Sequence, residues 1–121
     1  MGLAAAAIAS AAYYAALEYA LERPQGRPVS SKDLLSPQVP RAEHADVKRM
    51  LLFQRSVVEG SFSLLLQCSY YEDMCKLTTG DEKETYELLL DLLTPVAKTY
   101  SSEMGILSTS QSIQCLNIIH I

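Results

Sequence analysis

Residues 44–76 read HADVKRMLLFQRSVVEGSFSLLLQCSYYEDMCK, and the spacing of their apolar side chains decides the fold. Val47, Met50, Leu51, Val57, Val58, Leu64, Leu65, Cys68, Met74 and Cys75 recur three, four and seven apart, with Lys48, Arg49, Arg55 and Glu59 between them. That is the period of an α-helix with one apolar face. A helix of about thirty residues extends roughly 45 Å at 1.5 Å per residue, a length that suits a bundle or an assembly interface. Asp46 in its first turn favours the positive end of the helix dipole.

Upstream, residues 2–22 are mostly alanine, with Leu3, Ile8, Tyr13, Tyr14, Leu17 and Leu21 as the larger groups. Helix propensity there is high, and small side chains nearly all round predict a central, buried helix with few solvent-facing positions. The run lacks a positively charged start, and Glu18 and Glu22 interrupt it before about 20 apolar residues accumulate, so neither a signal segment nor a membrane span is expected. Residues 23–43 hold four of the chain's five prolines with Gly26, Ser30 and Ser31. A loop of that length without structure of its own is functional or disordered.

Downstream, LTTGDEKE at 77–84 breaks the long helix, and Thr79 or Asp81 is placed to cap the next one. The last segment carries Tyr86, Leu88, Leu89, Leu92, Leu93, Val96 and Ala97, then Met104, Ile106, Leu107, Ile113 and Leu116, with Pro95 inside it. An interior proline removes a backbone bond and clashes with the preceding turn, so a bend or a new helix is expected near 94–95. No stretch alternates at period two. The predicted fold is all-α: one domain over 1–121, an up-and-down bundle of three to four long antiparallel helices at about 2–22, 44–77 and 81–117, with a loop at 23–43.

Composition narrows the functional classes. About half the residues are apolar (49%), the formal charge is −4 and the pI is near 5, which offers no basic face for nucleic acid. Three cysteines in no scaffold spacing fit a reducing compartment, with Cys68 and Cys75 as small buried hydrophobes on one helical face. With only two histidines, a metal site lacks ligands. His44 reads as a surface or capping residue at a helix start, and His120 as a surface residue near the end. Glu82, Glu84, Glu87 and Asp91 read as a solvated face. No phosphate loop, Cys-x-x-Cys, His-Glu-x-x-His or Gly-x-Ser-x-Gly pattern occurs.

What stands out is LERPQGRP at 21–28. Two readings are open. Arg23 and Arg27 can satisfy the last carbonyls of the alanine helix, with Gly26 as a flexible cap. Alternatively the turn grips an anion: arginine offers a planar fork for phosphate or pyrophosphate, Gln25 adds donors and acceptors, and Gly26 lets backbone come close to a ligand.

AAYYAALEYALERPQGR (11–27), the proline-rich loop, HADVKRMLLFQRSVVEG (44–60) and DLLTPVAKTYSSEMG (91–105) occur in an order and spacing that closely resemble the carboxyl-terminal helical domain of acyl-CoA dehydrogenases, in particular bacterial long-type members. The resemblance runs from about Ile8 to Leu116. It implies FAD as cofactor, removal of two hydrogens from the α and β carbons of a fatty acyl-CoA, electron delivery to an electron-transfer flavoprotein, and assembly into homo-oligomers. It implies further that Arg23, Gln25 and Gly26 touch the flavin pyrophosphate region across a subunit interface, and that Gln114 approaches the adenine half of a neighbouring flavin. The implied location is the cytoplasm, or the mitochondrial matrix in a eukaryote.

Departures from the family accompany the match. After Gln114 the family continues with a hydrophobic pair and two glycines, whereas this chain reads Cys115-Leu116-Asn117-Ile118-Ile119-His120-Ile121. The family's catalytic glutamate lies beyond that point or, in some members, upstream of Met1, so no residue here takes a catalytic role. The expectation is a chain truncated at both ends, inactive alone, binding flavin weakly or not at all, and prone to self-association through exposed apolar patches. The alternatives are a non-catalytic helical interaction module derived from the family, and an unrelated four-helix bundle.

Overall fold

A computed structural model describes residues 1–28, 30 and 32–116. It contains three α-helices, α1 (Gly2–Glu22), α2 (Ala45–Leu77) and α3 (Gly80–Cys115), with a short 3-10 turn at Arg41–Glu43 leading into α2. Among the described residues there is no strand, only an isolated antiparallel bridge between Pro24 and Pro40. The fold is the expected all-α bundle, with three helices.

The directions follow from who meets whom. Gln54 of α2 reaches Ser112 and Cys115 of α3, while Tyr70 and Tyr71 meet Tyr86 at the opposite end, so these two helices are antiparallel. Gly2 faces Leu65 and Ala97, and Gly105 faces Ala5 and Ala9. The first helix is therefore antiparallel to α2 and parallel to α3. Up, down and up, the chain leaves the carboxyl ends of α1 and α3 side by side.

Small residues make that parallel contact possible. The buried stripe of α1 is Gly2, Ala6, Ala9, Tyr13, Ala16 and Ala20, and that of α3 is Ala97, Ser101, Gly105, Ser108, Ser112 and Cys115. Both repeat at three and four, which keeps one side of each helix turned to its neighbour. A β-carbon added at Gly105 would lie 3.6 Å from the Ala5 carbonyl oxygen and 3.9 Å from the Ala9 β-carbon. The Ser101 and Ser108 hydroxyls are buried without a hydrogen-bond partner, so small volume rather than hydrogen bonding suits these positions.

Several expectations are corrected. The first helix is not covered on most sides: Leu3, Ile8, Tyr14 and Leu21 are exposed, because two neighbouring helices can cover only one stripe. By length and composition alone α1 could cross a membrane, but its stripe is packed on α2 and α3, as in a bundle helix. No break occurs near 94–95. The third helix runs through Pro95, the Thr94 hydroxyl donating to the Leu90 carbonyl at 2.7 Å; Asp91, whose carbonyl loses its usual partner, lies at the surface where water can replace it. Cys68 and Cys75 are half-buried rather than buried, because they lie where α2 and α3 pair without α1. Asn117 and His120 lie outside the described residues.

At the end where α1 and α3 finish together, the core turns polar. Gln54 is fully buried, the Ser112 hydroxyl lies 2.6 Å from its Oε1, and its Nε2 points at Cys115 Sγ across 3.6 Å. Burial pushes the Cys115 thiol up from its ordinary range, keeping it neutral. This cluster fixes the end of α3 against α2.

Close packing of small residues predicts a sharp asymmetry on α1. Ala16→Leu should cost about 1–3 kcal/mol by overpacking, whereas Ala15→Leu on the exposed side should leave the urea midpoint nearly unchanged. Equal effects of the two, followed by helical circular dichroism, would refute the packing described.

Candidate functional site

The alanine helix ends at Glu22 because Pro24 cannot continue it and disfavours helical backbone at the residue before it. Arg23 is extended (φ −81°, ψ 112°), and its N–H caps the helix by bonding the Tyr19 carbonyl at 2.9 Å. The chain then pairs with the returning end of its own loop. Arg41 N–H donates to the Arg23 carbonyl at 2.8 Å, Gln25 N–H to the Val39 carbonyl at 3.0 Å, and Val39 N–H to the Gly26 carbonyl at 3.2 Å. A loop of about twenty residues is thereby closed at its base.

Arg41 is the centre of this joint. It is only 8% exposed, its Nη1 donates to Gln25 Oε1, and its Nη2 donates to the Gln114 carbonyl at 3.0 Å. Its Nε is buried without a partner. His44, at the N-cap position of α2, adds a latch by donating from Nε2 to the Gln25 carbonyl. Its ring therefore carries a proton on Nε2, since a carbonyl can only accept.

These contacts place the residues singled out from sequence. Gln25 is half-buried and held by the residues opposite it. Gly26 has φ of +70°, and a β-carbon there would stand 3.2 Å from the His44 ring, so what approaches its backbone in this structure is His44. Gln114 contributes its carbonyl to Arg41 while its side chain is exposed. Arg23 is exposed, and among the described residues its guanidinium has no hydrogen bond or ion pair. The helix end is capped by backbone, not by arginine side chains.

Sequence reasoning missed Arg41 altogether. Its partners lie 16 and 73 positions away, and its sole local signal is a charged residue directly after Pro40 in a segment read as loop. His44 reads from sequence as a surface or capping residue; it stands at the N-cap position of α2 with no side-chain cap bond, and its ring serves the turn. Glu82, Glu84, Glu87 and Asp91 are exposed as expected. They sit toward the opposite end of α3, about 40 Å from Gln114 at 1.5 Å per residue. Among the described residues no group of three or more His, Cys, Asp or Glu is placed to hold a metal.

Beside the latch is a cavity of about 300 Å³ lined by Pro28, Ser30, Val39, Glu43, His44 and Ala45. That is at the lower bound for a small-molecule pocket and too small to enclose a dinucleotide. The arrangement can offer donors to an anionic group lying across the turn. Gly26→Ala should destabilise the chain by about 1–3 kcal/mol through its left-handed backbone and the clash with His44, measured by urea unfolding; wild-type stability would contradict the latch.

No family model matches the chain. It is 43% identical over 105 residues to a butyryl-CoA dehydrogenase of Syntrophomonas wolfei, covering 86% of this chain and 17% of that protein. It is 31% identical over 114 residues to a 3-methylmercaptopropionyl-CoA dehydrogenase of Ruegeria pomeroyi, covering 94% and 19%. Against the broad-specificity linear acyl-CoA dehydrogenase FadE5 of Mycobacterium tuberculosis, identity is 31% over 119 residues, covering 96% and 20%. The chain thus spans a fifth or less of the length of these relatives. Proteins similar to nearly all of it share one kind of name, and the chain belongs to the acyl-CoA dehydrogenase family.

Proposed function

We propose that this chain is the carboxyl-terminal helical part of a FAD-dependent acyl-CoA dehydrogenase, whose turn at Arg23, Gln25 and Gly26, together with Gln114, contacts the flavin dinucleotide. The observation that carries the reading is the gathering of Gln25 and Gln114 onto Arg41, beside an exposed Arg23 guanidinium that no other described residue engages. Arginine's planar fork and a free carboxamide N–H suit pyrophosphate oxygens. In the complete enzyme the substrate would be a fatty acyl-CoA, and FAD, held at one edge by Arg23, Gln25, Gly26 and Gln114, would supply the redox chemistry. Electrons then pass to an electron-transfer flavoprotein, the assembly is a homo-oligomer, and the compartment is the cytoplasm or the mitochondrial matrix.

No residue of this chain is assigned to proton abstraction. A general base must reach the substrate proton, and the helix-borne carboxylates Glu82, Glu84, Glu87 and Asp91 stand at the other end of α3 from the turn. The bundle also leaves the turn open, whereas a flavin binds well only when most of its surface is enclosed. The chain therefore holds one edge of the cofactor and the assembly surface. A second reading, a non-catalytic interaction module derived from the family, is favoured by the exposed Leu66, Leu77, Leu88 and Leu92 on the part of α2 and α3 that α1 does not cover.

Titration of the chain with FAD, ADP and riboflavin, followed by backbone amide resonances, tests the proposal. FAD and ADP should shift the signals of 23, 25, 26 and 114 with dissociation constants of the order of millimolar, riboflavin should not, and Arg23→Gln should weaken binding about tenfold. Flavin copurifying tightly with the chain, or riboflavin shifting the same signals, would overturn it.

A further inference from the structure

Gln25 has four polar groups, and the returning loop engages three. Its N–H donates to the Val39 carbonyl, its carbonyl accepts from His44 Nε2, and its side-chain Oε1 accepts from Arg41 Nη1. The carboxamide orientation follows from the partner, because a guanidinium only donates and must face oxygen. What remains is Nε2, which has no hydrogen bond to any other described residue. Toward anything outside the turn, the one polar group of this glutamine still without a partner among the described residues is a donor.

Electrostatics adds a second consequence. The carboxyl ends of α1 and α3 lie together, each with a partial negative charge of roughly half an elementary unit, and the amino end of α2, which starts beside the same turn, offsets one of them. The remaining negative end disfavours a phosphate. Arg41 places a full positive charge there, bonded to the Gln114 carbonyl in the last turn of α3 and backbone-paired with Arg23 just after α1.

We infer that Arg41 is the positioning residue of the clasp: it leaves the Nε2 donors of Gln25 facing outward and outweighs the negative helix ends beside it, so that the turn accepts an anionic, acceptor-only group such as pyrophosphate. This rests on the reading of the turn as a cofactor clasp. Arg41 itself, buried at 8% exposure, acts through Gln25 and through its charge, and Arg23 remains the exposed arm.

The test uses the whole 121-residue chain and inorganic pyrophosphate, with the Gln25 side-chain amide resonance as readout beside the dissociation constant. In the wild type that resonance should be dispersed, and should shift as pyrophosphate binds. Arg41→Met should return it to the position of a freely rotating carboxamide and weaken binding about tenfold. Arg41→Lys keeps the charge but not the fork, and should recover part of the affinity with a less dispersed Gln25 signal. A merely structural arginine would change the unfolding midpoint without this graded rescue. Where Arg41→Met loses helicity, the Lys variant carries the comparison.

Two results would overturn the inference, and they are distinguishable. Should pyrophosphate bind Arg41→Met or Arg41→Lys as it binds wild type, while Arg23→Gln abolishes binding, the clasp stands and Arg41 does not organise it. Should pyrophosphate shift no signal of residues 23–26 in the wild type at any concentration, the clasp reading itself fails and the inference falls with it.

Discussion

The parallel contact of α1 with α3 is the constraint on which the rest of the structure depends. Alanine and glycine on one side and serine, glycine and alanine on the other let two helices come close without interlocking large side chains. Because the two run in the same direction and end at Glu22 and Cys115, two chain segments that are far apart in sequence finish at one place. The turn at 23–26 and Gln114 would not be neighbours in a bundle where α1 slid by one turn.

A buried guanidinium with only neutral acceptors needs an electrostatic reason, since removing a charge from water costs several kcal/mol unless the surroundings compensate. Here the compensation comes from direction. The parallel α1 and α3 leave two negative ends together against the single positive end of α2, and Arg41 sits where they converge, donating to Gln25 Oε1 and the Gln114 carbonyl. The neighbouring cluster of Gln54, Ser112 and Cys115 holds the end of α3 in place, so the carbonyl that Arg41 uses is presented by a fixed helix end. Packing, dipole direction and loop closure thus meet at one residue.

Much of this was legible in the sequence, for reasons that can be named. The three-four-seven spacing from Val47 to Cys75 reports a helix directly, and Pro24 after an alanine run reports where a helix must stop. The polar turn was legible because arginine, glutamine and glycine crowd a place where the preceding helix has almost nothing polar. The exposure of Ile8 and Tyr14 was not legible, because it depends on how many neighbours α1 has and not on its own residues. Neither was the continuity through Pro95, whose penalty depends on whether the freed carbonyl can reach water. Arg41 escaped for the same kind of reason: its role exists only once residues 25, 41 and 114 are brought together in space.

The central claim is that Arg41 ties the turn to the bundle, and a double-mutant cycle on stability measures it most directly. With Arg41→Met, Gln25→Met and the double variant compared by urea unfolding, direct coupling predicts an interaction energy of about 1–3 kcal/mol, because either single change already removes the shared bond. Effects that add to within about 0.5 kcal/mol would contradict the account, leaving Arg41 and Gln25 as independent residues.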